Sequence, residues 1–156
     1  MCGIAGLIHR GKSSNVGSEL QLMLQALKHR GPDSTGYALY AENDGKNFIM
    51  RFKVGENVGE GSTSVNEDAS VYDKRKKLVD NMLSELGAKV IKEDRLTPYS
   101  FRYEMQFNDD LMEFSKKIES IESVEILSIG KSLELIKDLG DATVVSERYG
   151  LGNVKG

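Results

Sequence analysis

The feature that most restricts the fold is a strict alternation late in the chain. Phe101, Tyr103, Met105 and Phe107 stand at every second position, with Arg102, Glu104 and Gln106 between them. Successive side chains of a strand point to opposite faces, so this spacing predicts a strand with one apolar and one wet face. Such a strand is stable only in a sheet whose apolar face is covered. A cover follows directly: Asp110, with Glu113 three residues on, opens a helix whose Leu111, Phe114, Ile118 and Ile121 form one apolar stripe. A further strand, Val124 to Ile129, comes next. Residues 88–137 therefore read as strand, strand, helix, then strand or hairpin, a two-layer α+β unit able to fold as an insertion.

Upstream, Leu78, Met82 and Leu86 repeat at helical spacing and Gly87 is placed to end that helix in the left-handed conformation. The basic run Lys74 to Lys77 lies among Asp73, Asp80 and Glu85, which reads as a solvated helix face rather than a phosphate patch. Gly55, Gly59, Gly61, Ser62 and Ser64 mark a linker, which sets a boundary near residue 60. Before it, Thr35–Ala41 and Phe48–Val54 are rich in β-branched and aromatic residues around a polar Asp-Gly turn, as a hairpin would be. Ser18 and Gln21 form a capping-box pattern ahead of an amphipathic helix with Leu20, Met23, Leu24 and Leu27 on one face. The first segment, Cys2 to His9, mixes glycines with apolar residues and reads as a central strand. The chain thus divides into a core at 1–58, a linker and helix at 59–87, and an inserted two-layer unit with a cut C-terminal helix at 88–156.

Composition removes several classes of function. The net charge of -3 offers no general attraction to phosphate backbones or anionic lipid, so neither nucleic acid nor membrane is an expected partner. No apolar run approaches the roughly 20 residues that span a bilayer, and a cytoplasmic protein is expected. One cysteine cannot staple the fold, and no cluster of cysteine and histidine has metal-ligand spacing, so neither a disulfide, a metal nor another cofactor is expected.

That single cysteine, Cys2, follows the initiator Met1 and is small enough for Met1 to be removed. A terminal α-amine titrates close to neutrality and can act as the base for a thiol on the same residue. Thiolate attack on a carboxamide gives an oxyanion, loss of ammonia gives a thioester, and water completes the hydrolysis. Two blocks frame this residue: Met1-Cys2-Gly3-Ile4-Ala5-Gly6, and, after the first helix, His29-Arg30-Gly31-Pro32-Asp33-Ser34-Thr35-Gly36-Tyr37.

Over residues 1 to about 55 the chain resembles the class II, or N-terminal nucleophile, glutamine amidotransferases, in which Cys-Gly-Ile opens the mature chain and an HRGPD-type loop follows the first helix. The resemblance implies Cys2 as nucleophile, L-glutamine as substrate, and Arg30 with Gly31 as support around the active-site terminus. It implies a four-layer αββα sandwich, of which this chain would supply one part together with the small α+β insertion. Asp33 and Gly36 fit bracing and conformational roles, and His29 and His9 structural ones, because the family needs no histidine base. Related enzymes also carry a Gly-His-x-Arg block, an Asn-Gly pair for the oxyanion and an aspartate for the substrate's amine. Neither block occurs here, and the glycine-bearing end at Gly152–Gly156 reads as cut, so those groups are expected beyond residue 156. The long insertion is most similar to the amidotransferase subunits of archaeal-type glutamate synthases, which implies a synthase subunit as the partner that takes the ammonia. The rival reading is a noncatalytic, degenerate amidotransferase fold that binds a ligand or regulates a partner.

Overall fold

The computed structural model describes residues 2–11, 14–30, 33–40, 45–55 and 68–155. The architecture is α+β, with four helices and two sheets among these residues. The chain divides into two compact units: Met1–Tyr37 together with Lys137–Gly156, and the intervening Ala38–Ile136.

The intervening unit is built on β2 (Phe48–Lys53), β3 (Lys89–Thr97), β4 (Ser100–Gln106) and β5 (Glu125–Gly130), with helices α2 (Ala69–Glu85) and α3 (Leu111–Glu119). The sheet order is β3-β4-β2-β5 and the described pairings are antiparallel. Strand, helix, strand, strand, helix, strand in this order is the split βαβ, or ferredoxin-like, arrangement. The alternation at 101–107 does what its spacing requires: Phe101, Tyr103 and Met105 are fully buried while Arg102 and Glu104 face the other way. Phe52 stacks on Phe101 at 5.3 Å and meets Tyr103 edge-on at 5.0 Å, and Phe114 and Ile118 of α3 close the layer. Asp110 caps α3 by accepting from the backbone N–H groups of Met112 and Glu113 at 2.8 and 2.9 Å.

Three expectations need correction. The stripe of α2 is Tyr72, Val79 and Leu83, with Met82 and Leu86 at its margin, whereas Leu78 is exposed. Tyr72 sets the rotation by meeting Tyr99 at 5.9 Å. The expected hairpin does not form: β1 (Ser34–Tyr40) pairs with β6 (Leu133–Leu139) in a separate two-stranded sheet, while β2 lies between β4 and β5. The apolar face of Met50, Phe52 and Val54 is matched to the aromatic face of β4, and that burial outweighs the local turn signal. The basic run of α2 is only partly solvated. Lys74 and Lys77 are exposed, but Lys76 bridges Asp80 and Glu93 at 2.8 and 2.9 Å, and Arg75 donates to the Val54 carbonyl.

The wet face of this sheet carries a buried ion cluster. Glu134 receives the guanidinium of Arg51 at 2.6 Å and that of Arg102 at 2.9 and 3.0 Å, and Arg102 also reaches Asp94 at 3.5 Å. Burial pushes the Glu134 carboxyl up, but the two arginines outweigh it and hold it below its ordinary value.

In the other unit, α1 (Val16–Ala26) packs on α4 (Ala142–Tyr149) and on the short turn Leu151–Asn153. Gly17 is buried there, and its N–H donates to the Val154 carbonyl at 3.0 Å. This tie starts the helix earlier than the capping pattern suggested. Asn15 occupies the cap position, Ser18 bonds back to the Asn15 carbonyl, and Gln21 instead accepts from Ser146 at 2.8 Å. Cys2–His9, expected as a central strand, forms neither strand nor helix, because no neighbouring strand among the described residues offers it a ladder. Its burial still alternates: Gly3, Ala5 and Leu7 are half-buried, and Cys2, Ile4 and Ile8 are exposed. No helix of the described residues is long and apolar enough to cross a membrane.

Candidate active site

The sequence blocks around Cys2 and Arg30 meet through a glycine. Helix α1 is followed by a 3-10 turn, Lys28–Arg30, whose last N–H donates to the Leu27 carbonyl at 2.8 Å. Gly3 lies against this corner: a β-carbon built on it would stand 3.0 Å from the Leu27 β-carbon and 3.6 Å from that of Arg30. A side chain at position 3 would press on the Leu27 side chain, so glycine keeps this approach uncrowded. Cys2, the residue before it, is exposed with a free thiol. Arg30 is exposed, and Gly31 lies outside the described residues.

A cleft of about 80 Å³ opens beside Gly3, with Leu27, Lys28, Thr35, Asp141 and Ala142 among its walls. Its rim is fixed by bonds between distant parts of the chain. Thr35 donates to the Gly140 carbonyl at 2.8 Å, the buried Tyr37 hydroxyl donates to the Ala142 carbonyl at 2.9 Å, and Gly140 N–H donates to the Asp33 carbonyl at 3.0 Å. Asp33 therefore braces its turn through its backbone. Gly36 also lines the cleft, and His29 is exposed on the 3-10 turn.

The pairing of the two charged residues at the cleft gave no sequence signal. Lys28 meets Asp141 at 2.7 Å, and Asp141 also caps α4 by accepting from Val144 N–H at 3.0 Å. The Lys28 ammonium, with the Val144 N–H, holds the Asp141 carboxyl down at about 2. Burial pushes the Tyr37 phenol up, so it stays a neutral donor. His9, at the far end of the N-terminal segment, places Nε2 2.9 Å from Glu19 Oε2 of α1. The one sequence cue was the capping-type position of Asp141, just ahead of Ala142, Val144 and Val145.

No protein-family model matches the chain. In the solved structures it is similar to the chemotaxis kinase CheA P2 domain in complex with the response regulator CheY from Thermotoga maritima, at 17% identity and a TM-score of 0.39, covering 60% of this chain and 96% of that one. That likeness is too distant to speak to fold or function. The chain as a whole is 31% identical, over 169 aligned residues, to a protein of Methanothermobacter thermautotrophicus named "Putative glutamine amidotransferase". It spans 49% of that relative, about half of its length. The sequence resemblance and this relative thus point the same way: the chain is similar, from end to end, to a protein that carries the name of a glutamine amidotransferase.

Proposed function

We propose that this chain carries the nucleophile part of a cytoplasmic class II, N-terminal nucleophile glutamine amidotransferase. Cys2, freed of Met1, passes its thiol proton to its own α-amine and attacks the side-chain carboxamide carbon of L-glutamine. The carbonyl oxygen becomes a tetrahedral oxyanion. Its collapse breaks the carbon–nitrogen bond, the proton leaves with the nitrogen as ammonia, and a thioester remains on Cys2. Water attacks the thioester through a second oxyanion and releases glutamate and the thiol. Arg30 and Gly31 support the terminus, and a synthase subunit takes up the ammonia, with archaeal-type glutamate synthesis as its use. The fold of the whole would be the αββα sandwich, with the ferredoxin-like unit as its insertion.

The observation that carries this reading is the seat of Gly3, the residue after the exposed Cys2, against Leu27 and Arg30. The name of the Methanothermobacter relative supports it in coarser form. The test is to treat the full-length protein with a diazoketone analogue of glutamine and to sequence its processed N-terminus. The expected result is a mature chain beginning at Cys2, one adduct on that residue, and none in Cys2→Ala. A retained Met1, or no adduct on Cys2, would favour the binding-protein reading and overturn this one.

A further inference from the structure

We infer that His9 is a positioning residue for Cys2, acting through Glu19; the inference rests on the amidotransferase reading above. The segment Cys2–Arg10 has no strand or helix, and among the described residues no backbone hydrogen bond reaches it. Ala5 and Leu7 are half-buried along it, and two specific contacts mark its ends. Near its start, Gly3 is seated on Leu27 and Arg30. At its root, His9 Nε2 lies 2.9 Å from Glu19 Oε2, the one side-chain hydrogen bond that residues 2–11 make among the described residues. Because position 3 meets position 27 and position 9 meets position 19, the segment runs antiparallel along α1, with the nucleophile at the end of that arm. Glu19 sits in the first turn of the helix and also accepts from Ser14 at 3.4 Å, so the same carboxylate meets both His9 and the residues just before α1.

A nucleophile works only when held near its attack geometry, and a displacement of about 1 Å can cost a large factor in rate. Apolar contact, at Gly3 and along the half-buried Ala5 and Leu7, resists lift from the helix more than sliding along it. The His9 to Glu19 bond fixes the register of that slide. The half-exposed pair contributes little to global stability, so its effect is read in the reactivity of Cys2 rather than in a melting curve.

The experiment compares His9→Ala, Glu19→Ala, the double variant and His9→Gln in the full-length protein. Two probes of Cys2 are used: the diazoketone analogue of glutamine, which reacts only in a formed site, and iodoacetamide, which needs only exposure. Each alanine variant is expected to slow the analogue by roughly two- to fivefold while iodoacetamide is unaffected. The double variant should be no slower than the slower single one, and His9→Gln, which keeps a donor, should recover the rate. Analogue labelling that is unchanged in His9→Ala, or additive losses in the double variant, would overturn the inference alone. Failure of the unaltered protein to react with the analogue would overturn the amidotransferase reading, and this inference with it.

Discussion

Gly3 and Leu27 are in contact so close that any β-carbon at position 3 would stand 3.0 Å from the β-carbon of Leu27 and 3.3 Å from its Cδ1. The N-terminal arm and the end of α1 are therefore fitted to each other at a glycine, one residue from the proposed nucleophile. Gly3→Val should lift the arm and slow labelling of Cys2 by the glutamine analogue by about tenfold or more. Leu27→Ala in the same chain should restore much of the rate by opening the space. Labelling that is unaffected in Gly3→Val would show that this contact does not set the place of Cys2.

Gly17 gives a sharper steric test because its neighbour is backbone. A β-carbon there would lie 1.9 Å from the Leu151 carbonyl oxygen and 3.0 Å from its carbon. Alanine favours a helix over glycine by about 1 kcal/mol, so propensity alone predicts stabilisation. The clash should win: Gly17→Ala is expected to destabilise the unit by about 2 kcal/mol, since α1 must move off the Leu151–Asn153 turn. Denaturant unfolding of the two proteins measures the sign directly.

Glu134 holds Arg51 and Arg102 in a buried cluster. Glu134→Ala should cost about 3–5 kcal/mol, because the buried Arg51 and the half-buried Arg102 lose their shared carboxylate. Replacing Arg51 and Glu134 together by Met and Leu should recover the part of that loss that comes from the buried Arg51, while Arg102 keeps Asp94. Urea unfolding of the single and double variants decides; a mild Glu134→Ala together with a severe double variant contradicts this account.

The Lys28 to Asp141 pair makes a pH prediction. The Asp141 carboxyl is held at about 2, below its ordinary 3.8, so the folded protein binds this proton less readily than the unfolded chain. Its contribution is fully present above about pH 4 and is lost as pH falls towards about 2. Asp141→Asn keeps a good helix cap while removing the charge. The melting temperatures of the two proteins should differ at pH 7 and converge near pH 2, and a gap that persists at pH 2 would assign the effect to the cap instead.

The sequence alone determined those features that depend on near neighbours in the chain. The alternation Phe101 to Phe107 required a one-faced strand, Asp110 with Glu113 marked the start of α3, and Gly87 ended α2 with a φ of +73°. Period and capping are local physics, with partners a few residues apart. Cys2 stood out in the sequence as the single cysteine, next to Met1, whereas the roles expected of Arg30 and Gly31 came from the family resemblance. Tertiary structure alone decided the rest. Whether Phe48–Lys53 pairs with Ser34–Tyr40 or with Ser100–Gln106 depends on which burial is larger, and the aromatic face of β4 sits some 50 residues away in the chain. Asp141 beside Lys28, Glu134 between two arginines, Glu19 beneath His9 and Gly17 under the Leu151 carbonyl are all meetings of distant segments. A hydrogen bond or a steric contact acts over a few ångströms of space, and sequence separation carries no record of it.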